Sequence, residues 1–219
     1  MSDGVMKNAR CMITHTFPKP APSVVGLAWD GSSLWAGDWE SRTLMRLGAD
    51  AVAVETFPAP GRMVGLLYLD GSITAVVSDP DTDDRTIRTF SIARRSWDER
   101  VLRCPGDTGS QLAWDGQHLW LGQRYEHRVM QLSADGQADR IIELPCEVVG
   151  LHWMGPTLWL NLRMRKGMSD IGRLDAGADD PELVEQYDKG YVSLAYDGGG
   201  FWMSDLRGTT IARAVPPGI

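Results

Sequence analysis

The sequence predicts an all-β protein, a five-bladed β-propeller with four antiparallel strands per blade. Three observations carry this. One phrase recurs five times along the chain. Each copy divides into short β-forming runs parted by turn residues. Helical periodicity is nowhere sustained over the roughly 10–12 residues a helix needs.

The phrase begins as Val25-Gly26-Leu27-Ala28-Trp29-Asp30-Gly31, followed by Leu34-Trp35-Ala36-Gly37. It returns as Ser110-Gln111-Leu112-Ala113-Trp114-Asp115-Gly116 with Leu119-Trp120-Leu121-Gly122. A third copy is Val149-Gly150-Leu151-His152-Trp153 with Leu158-Trp159-Leu160-Asn161, and a fourth is Val192-Ser193-Leu194-Ala195-Tyr196-Asp197-Gly198 with Phe201-Trp202-Met203-Ser204. The weakest, Val64-Gly65-Leu66-Leu67-Tyr68-Leu69-Asp70-Gly71, lies second in the chain. The anchor leucines Leu27, Leu66, Leu112, Leu151 and Leu194 are 39, 46, 39 and 43 residues apart.

Within a repeat, Asp-Gly joins the first two runs, a pair suited to the positive φ angles of a type I′ hairpin turn. Met154-Gly155-Pro156 replaces it once. A third run follows (Thr43 to Leu47, Arg128 to Leu132, Ile171 to Leu174), then a polar turn such as 175–177, then a fourth run ending near Pro58, Cys104, Pro145 or Tyr187. The last repeat has three runs, Val192 to Tyr196, Gly200 to Asp205 and Thr210 to Val215. The orphan run Met12 to Pro18 resembles the fourth-strand sequence Val54 to Pro58. The N-terminal strand is therefore expected to complete the last blade, which removes an exposed edge. One domain spanning 1–219 results, with blades at 24–58, 63–104, 109–145, 148–187 and 191–215 plus 12–18, and residues 1–10 as a flexible N-terminus. A solenoid or open sandwich requires no such exchange between the chain ends.

Composition bounds the function. The chain is 43% hydrophobic and 23% charged, as soluble globular proteins are. Its net charge of −7 opposes the basic footprint of nucleic-acid binders. No apolar run approaches the roughly 18 residues that span a bilayer. Met1 to Arg10 has no signal-peptide pattern. Cys11, Cys104 and Cys146, odd in number and far apart, fit reduced thiols. The expectation is a cytoplasmic protein with no cofactor and no nucleic-acid or membrane partner.

Repeated residues solve the repeated problem of packing. Trp29, Trp35, Trp114, Trp120, Trp153, Trp159 and Trp202 are thus core candidates, and Gly26, Gly65 and Gly150 open inner strands where backbones converge. Residues that break the repeat carry the functional expectation. Ser23, Arg62, Thr108, Glu147 and Gly190, four before each anchor leucine, are expected around the channel mouth. Loops between second and third strands bring Arg42, Arg124, Arg163, Arg165 and Arg207 toward the same rim. The planar guanidinium suits carboxylate or phosphate, although Arg outnumbers Lys 18 to 4 throughout. Trp39 and Tyr125 are the aromatic residues of those loops. The expected ligand-binding set is Trp39, Arg62, Arg124, Tyr125, Arg163 and Arg207, with Glu147 or the Glu126/His127 pair as acid/base candidates.

Other features carry less. The acidic loop Asp79 to Asp84 lacks the sixth-position Gly and twelfth-position Glu of an EF-hand. His15, His118, His127 and His152 share no metal-binding spacing, so no metal is expected. Cys104 and Cys146 precede channel-mouth segments without a His partner in sequence. Trp97-Asp98-Glu99-Arg100 reads as surface. Nucleophile-elbow, P-loop and dinucleotide-binding patterns are missing.

The phrase from Gly26 to Asp38 resembles repeats of bacterial propellers in the broad class of streptogramin lyases, senescence-marker-protein lactonases and plant-type glutaminyl cyclases. The resemblance covers nearly the whole chain and is one of scaffold. Five blades are most similar to the cyclases, which convert N-terminal glutamine to pyroglutamate. Those enzymes open their first blade with Phe-Thr-Gln-Gly-Leu, where this chain reads Ser23-Val24-Val25-Gly26-Leu27. The lactonase calcium centre uses Glu, two Asn and Asp; this chain has Asn8 and Asn161 only. The lyases use histidines with a carboxylate, of which His127, Glu126 and His152 are a partial echo. No catalytic residue is carried over. The leading expectation is small-molecule binding, of an anionic metabolite, at the top-face channel mouth, with lyase or hydrolase activity as an extension. Two alternatives stand beside it, a protein-interaction scaffold (a homodimer being its self-associating form) and a glutaminyl-cyclase-like cyclotransferase.

Overall fold

The computed structural model describes residues 11–216 except 176 and 179. Residues 1–10, with Asn8, and the centre of the 175–177 turn lie outside the described residues. Among the described residues, 21 strands pair into five antiparallel sheets, and the protein is a five-bladed β-propeller. Strand β1 (Met12–Pro18) comes first in sequence but belongs to the last blade. Blade 1 contains β2 (Val24–Trp29), β3 (Leu34–Asp38), β4 (Thr43–Leu47) and β5 (Ala53–Pro58). Blade 2 contains β6 (Arg62–Leu69), β7 (Ser72–Ser78), β8 (Arg85–Ser91), β9 (Ser96–Trp97) and β10 (Leu102–Arg103). Blade 3 runs through β11 (Gln111–Trp114), β12 (Leu119–Gln123), β13 (Arg128–Leu132) and β14 (Ala138–Glu143). Blade 4 runs through β15 (Glu147–Met154), β16 (Thr157–Arg163), β17 (Ser169–Asp175) and β18 (Glu182–Tyr187). Blade 5 has β19 (Tyr191–Tyr196), β20 (Phe201–Asp205) and β21 (Thr210–Val215), and β1 pairs with β21 from Met12 opposite Val215 to Pro18 opposite Thr210. The ring closes as the sequence predicts.

Blade 2 departs from four whole strands. Its outer strand is broken into β9 and β10, both paired with β8, and the charged stretch Asp98-Glu99-Arg100 interrupts them. The reading of Trp97 as surface needs correcting. Its Nε1 donates to the Pro58 carbonyl at 2.8 Å, and its ring meets Phe90 edge-on at 5.4 Å. The broken edge lets this one indole fold back over the seam between blades 1 and 2.

Five hydrophobic clusters occupy the five wedges between neighbouring blades. The second-strand tryptophans Trp35, Trp120 and Trp159 are buried there. Trp202 and the inner-strand Trp29 and Trp153 are half-buried against the same clusters. Rings meet at tilted angles across three of the seams, as between Trp35 and Phe90 at 6.1 Å, Trp120 and Trp153 at 5.4 Å and Trp159 and Phe201 at 5.2 Å, the geometry aromatic quadrupoles favour.

The Asp-Gly hairpins do more than turn the chain. Asp30, Asp115 and Asp197 each accept two loop amide N–H groups through Oδ1 and the indole Nε1 five residues on through Oδ2, at 2.7, 2.8 and 2.8 Å for Trp35, Trp120 and Trp202. One carboxylate thus ties the turn to the wedge filler, which separates these turns from the expected type I′ geometry. Only Asp70-Gly71 has both residues at positive φ, 47° and 75°. Blade 4 keeps the tryptophan but has Met154 where the aspartate would stand, and the buried Trp159 Nε1 has no partner among the described residues, a defect worth about 1–3 kcal/mol.

At the axis the inner strands β2, β6, β11, β15 and β19 crowd together. Even β6 and β19, from non-adjacent blades, have Cα atoms within 8 Å. A Cβ on Gly65 would overlap the Ser110 carbonyl oxygen and lie 2.9 Å from the Gln111 Cα. Gly116, at a hairpin, has nothing within 4 Å of such a Cβ but sits at φ 101°. Gly65→Ala is therefore expected to lose 3 kcal/mol or more, about the cost of forcing two backbones apart in a packed interior. Gly116→Ala should lose only about 1 kcal/mol of backbone strain. Urea unfolding of the two variants beside the parent checks the difference; equal losses would remove the axial contact as a determinant of stability.

Candidate functional site

Two hollows open side by side on the top face, where blades connect and second strands turn into third strands. The first is an axial bowl of about 310 Å³. Val25, Val64, Ser110, Val149 and Val192 line its floor, one from the same place in each inner strand. Each stands one residue before the tight axial level. Ser23, Thr108, Trp39, Tyr125 and Leu206 contribute to the walls, and Arg85 and Arg124 are the cations. No carboxylate lines the bowl among the described residues.

Each bowl cation is oriented by partners. Trp39 has the Arg62 and Arg85 guanidiniums each 5.3 Å from a ring centre. Arg85 Nη2 donates to both Asp83 carboxylate oxygens at 3.0 Å. Arg124 stacks 4.9 Å from the Tyr125 ring, and its Nε donates to Glu147 Oε2 at 2.8 Å. Arg163 Nη1 donates to the same oxygen at 3.2 Å. Burial pushes the Arg163 pKa below its usual value, the Arg124 charge adds to this, and Glu147 opposes both. The Arg163 Nε is buried without an acceptor among the described residues.

The second hollow, about 620 Å³, is a cleft between blades 4 and 5. Arg163, Arg165, Lys166, Lys189 and Arg207 line it, against Glu147, Asp188 and Asp205. Leu206 borders both hollows.

Among the residues expected from sequence, Trp39, Arg124 and Tyr125 meet at the bowl, while Arg163, Arg207 and Glu147 meet at the cleft. Arg62 lies against Trp39 and lines neither hollow. Glu126 and His127 are exposed and also line neither. His127 has φ 51° and accepts the Leu144 N–H through its carbonyl at 2.7 Å, a turn role. Of the five residues four before the anchor leucines, Ser23 and Thr108 border the bowl and Glu147 and Gly190 the cleft. Sequence reasoning missed Arg85, the four floor valines, Lys166 and Lys189. The valines had a signal: Val precedes the axial position in four of five repeats. A residue repeated beside the axis is both packing and pocket wall.

The remaining reactive groups are tied up. Cys11, Cys104 and Cys146 are unpaired and buried, and desolvation raises all three thiols, Cys104 to about 12 and Cys11 to about 11. In the acidic loop, Asp79 Oδ1 accepts the Asp81 and Thr82 amides at 2.9 and 3.1 Å. Among the described residues, no three His, Cys, Asp or Glu side chains converge to hold a metal.

No protein-family model and no curated protein matches the sequence. Solved structures do resemble it. Glutaminyl cyclase of Myxococcus xanthus is 14% identical, over 96% of this chain and 99% of that one, with a TM-score of 0.75. The PQQ-bound aldose sugar dehydrogenase of Streptomyces coelicolor is 16% identical over 96% and 82% of the two chains, with a TM-score of 0.61. Virginiamycin B lyase of Staphylococcus aureus is 11% identical over 92% and 98%, with a TM-score of 0.53. At these identities the likeness is one of propeller scaffold, and it includes two of the enzyme types that the repeat phrase resembles.

His152 supplies a pH test of the packing beneath the site. Its ring lies 5.7 Å from Tyr196 and 6.0 Å from Phe201, and burial pushes its pKa down to about 4. An unfolded histidine titrates near about 6.5, so acid favours the unfolded chain. The stability carried by the neutral ring is complete above about pH 6.5 and is lost as pH falls toward 4, up to roughly 3 kcal/mol. Asp30, Asp115 and Asp197 are held below the usual carboxylate range, their hydrogen bonds outweighing the opposing effect of burial, so their losses come at lower pH. Urea midpoints at pH 7 and 4.5 should fall steeply in the parent and less in His152→Leu, which copies Leu67 of blade 2. An identical drop in both proteins would remove His152 from the acid response.

Proposed function

We propose that the protein binds a small molecule with an apolar body and an anionic group in the axial bowl. The observation that carries this is the combination of an apolar floor, four valines and a serine, with two arginines and two aromatic rings above it and no carboxylate among the described lining residues. Apolar depth with a few oriented polar groups is the usual form of a ligand site. Guanidiniums already oriented by Asp83 and Glu147 lose little entropy on meeting an anion.

Binding is better supported than proton transfer. Glu147 gives one oxygen to two guanidiniums, which suits an orienting residue rather than a base. Lyase, hydrolase or cyclotransferase chemistry in this reading needs a group supplied by the ligand. The cytoplasm is the compartment we propose, supported by three unpaired thiols.

The scaffold alternative has one observation in its favour: Tyr125 is 69% exposed and Met164 46% exposed on the same face. A thermal-shift screen with aryl and alkyl carboxylates and phosphates decides between the two. Under the ligand reading, a hit at about 100 times its Kd raises Tm by several degrees. Tyr125→Ala and Arg124→Gln should then each weaken that hit about tenfold while leaving the ligand-free Tm within about 2 °C. No hit, together with a dimer by light scattering that Tyr125→Ser dissociates, would overturn it in favour of the scaffold.

A further inference from the structure

We propose that the cleft between blades 4 and 5 is a phosphate subsite, and that the ligand is a phosphorylated molecule whose apolar body occupies the bowl. This rests on the bowl reading for the position of the body, while the cleft argument stands on its own residues.

Charge is the first observation. Five cations line the cleft against three carboxylates, in a protein whose net charge is −7. Two of the three carboxylates are engaged. Asp205 Oδ1 accepts the Arg207 and Gly208 amides at 3.2 and 2.9 Å, and Glu147 is shared between Arg124 and Arg163. Arg207, Lys166 and Lys189 have no carboxylate within 4.0 Å among the described residues. The general excess of arginine does not account for this, since two of the chain's four lysines stand here.

Unmet hydrogen-bonding capacity is the second. Arg163 is 13% exposed at its side chain, and its Nε is buried without an acceptor. Like charge from Arg207 lowers its pKa further, and Glu147, already shared with Arg124, is the one carboxylate bonded to it among the described residues. A phosphate monoester brings about −1.5 to −2 charges and three acceptor oxygens, enough for Arg163, Arg207 and a lysine together; a carboxylate brings one charge and two oxygens.

Continuity is the third. Leu206 borders both hollows, and Glu147 in the cleft is bonded to Arg124 of the bowl. A molecule seated on the valine floor reaches the cleft across Leu206.

The test is isothermal titration of the full chain with 1-naphthyl phosphate, 1-naphthol and inorganic phosphate. Naphthyl phosphate is expected to bind at least about tenfold tighter than naphthol, with a steep salt dependence. Arg163→Gln should weaken naphthyl phosphate about tenfold without affecting naphthol. Arg207→Gln, an exposed side chain in no ion pair, should do the same without touching the fold. Tyr125→Ala should weaken naphthol and naphthyl phosphate alike. Equal affinity for naphthol and naphthyl phosphate, or cleft variants that leave both unchanged, would overturn the phosphate subsite and leave the bowl standing. Inorganic phosphate binding as tightly as naphthyl phosphate, with naphthol unbound, would keep the subsite and overturn the bowl. Binding of none of the three would overturn both.

Discussion

Five inner strands meeting at one axis, backbone against backbone, is the constraint from which the rest of this molecule follows. Gly65 faces the Ser110 carbonyl, Gly150 faces Ser193, and Gly26 faces Gly65. Side chains at that level are excluded by volume in most blades. The one non-glycine exception on this ring that also departs from ordinary backbone is Ser193, at φ 65°, whose hydroxyl accepts the Leu27 N–H at 2.9 Å. That bond joins the last blade to the first at the axis, as β1 joins them at the rim. Crowding there closes the floor of the top hollow, so the mouth is a bowl rather than a pore.

Away from the axis the blades diverge, and the widening wedge has to be filled. Tryptophan on the second strand does this, and the hairpin aspartate holds the indole while capping its own turn. The arrangement is modular, and its exceptions are local. Blade 2 replaces the tryptophan with Thr74 and the aspartate with Leu69, removing donor and acceptor together. Blade 4 removes only the acceptor and leaves the Trp159 indole unbonded. Removing both partners is nearly neutral, whereas stranding one is costly. Blade 4 also carries His152 in place of a small or aliphatic residue and borders the cationic cleft. The blade with the stranded indole therefore lies beside the most highly charged hollow.

Charge is distributed against the average. The outer strands and the acidic loop carry much of the negative excess, while loops from several blades turn arginines toward the axis. Most of these are held by a specific acceptor, Arg85 by Asp83 and Arg124 by Glu147. Donors held in this way are preorganised, the condition under which meeting an anion would cost little further ordering. Arg207 and the two lysines of the cleft have no ion-pair partner among the described residues, and the Arg163 Nε has no acceptor there.

Repeats in the amino-acid order determined the blade count, the strand runs and the ring closure by β1, since every blade must satisfy the same wedge and the same axial crowding. The loop residues that break the repeat were legible as well, and most of them do reach the top face. Which hollow each one enters was not legible. Arg124 and Arg163 occupy equivalent positions of blades 3 and 4, each twelve residues after its anchor leucine, yet one lines the bowl and the other the cleft, with Glu147 accepting from both. Glu126 and His127 sit one and two residues beyond Tyr125 and turn outward with the loop. Local order along the chain fixes strands and turns through short-range sterics and pattern. The grouping of side chains into sites is decided by distances between blades about 20 to 40 residues apart in sequence, and those exist only once the ring has closed.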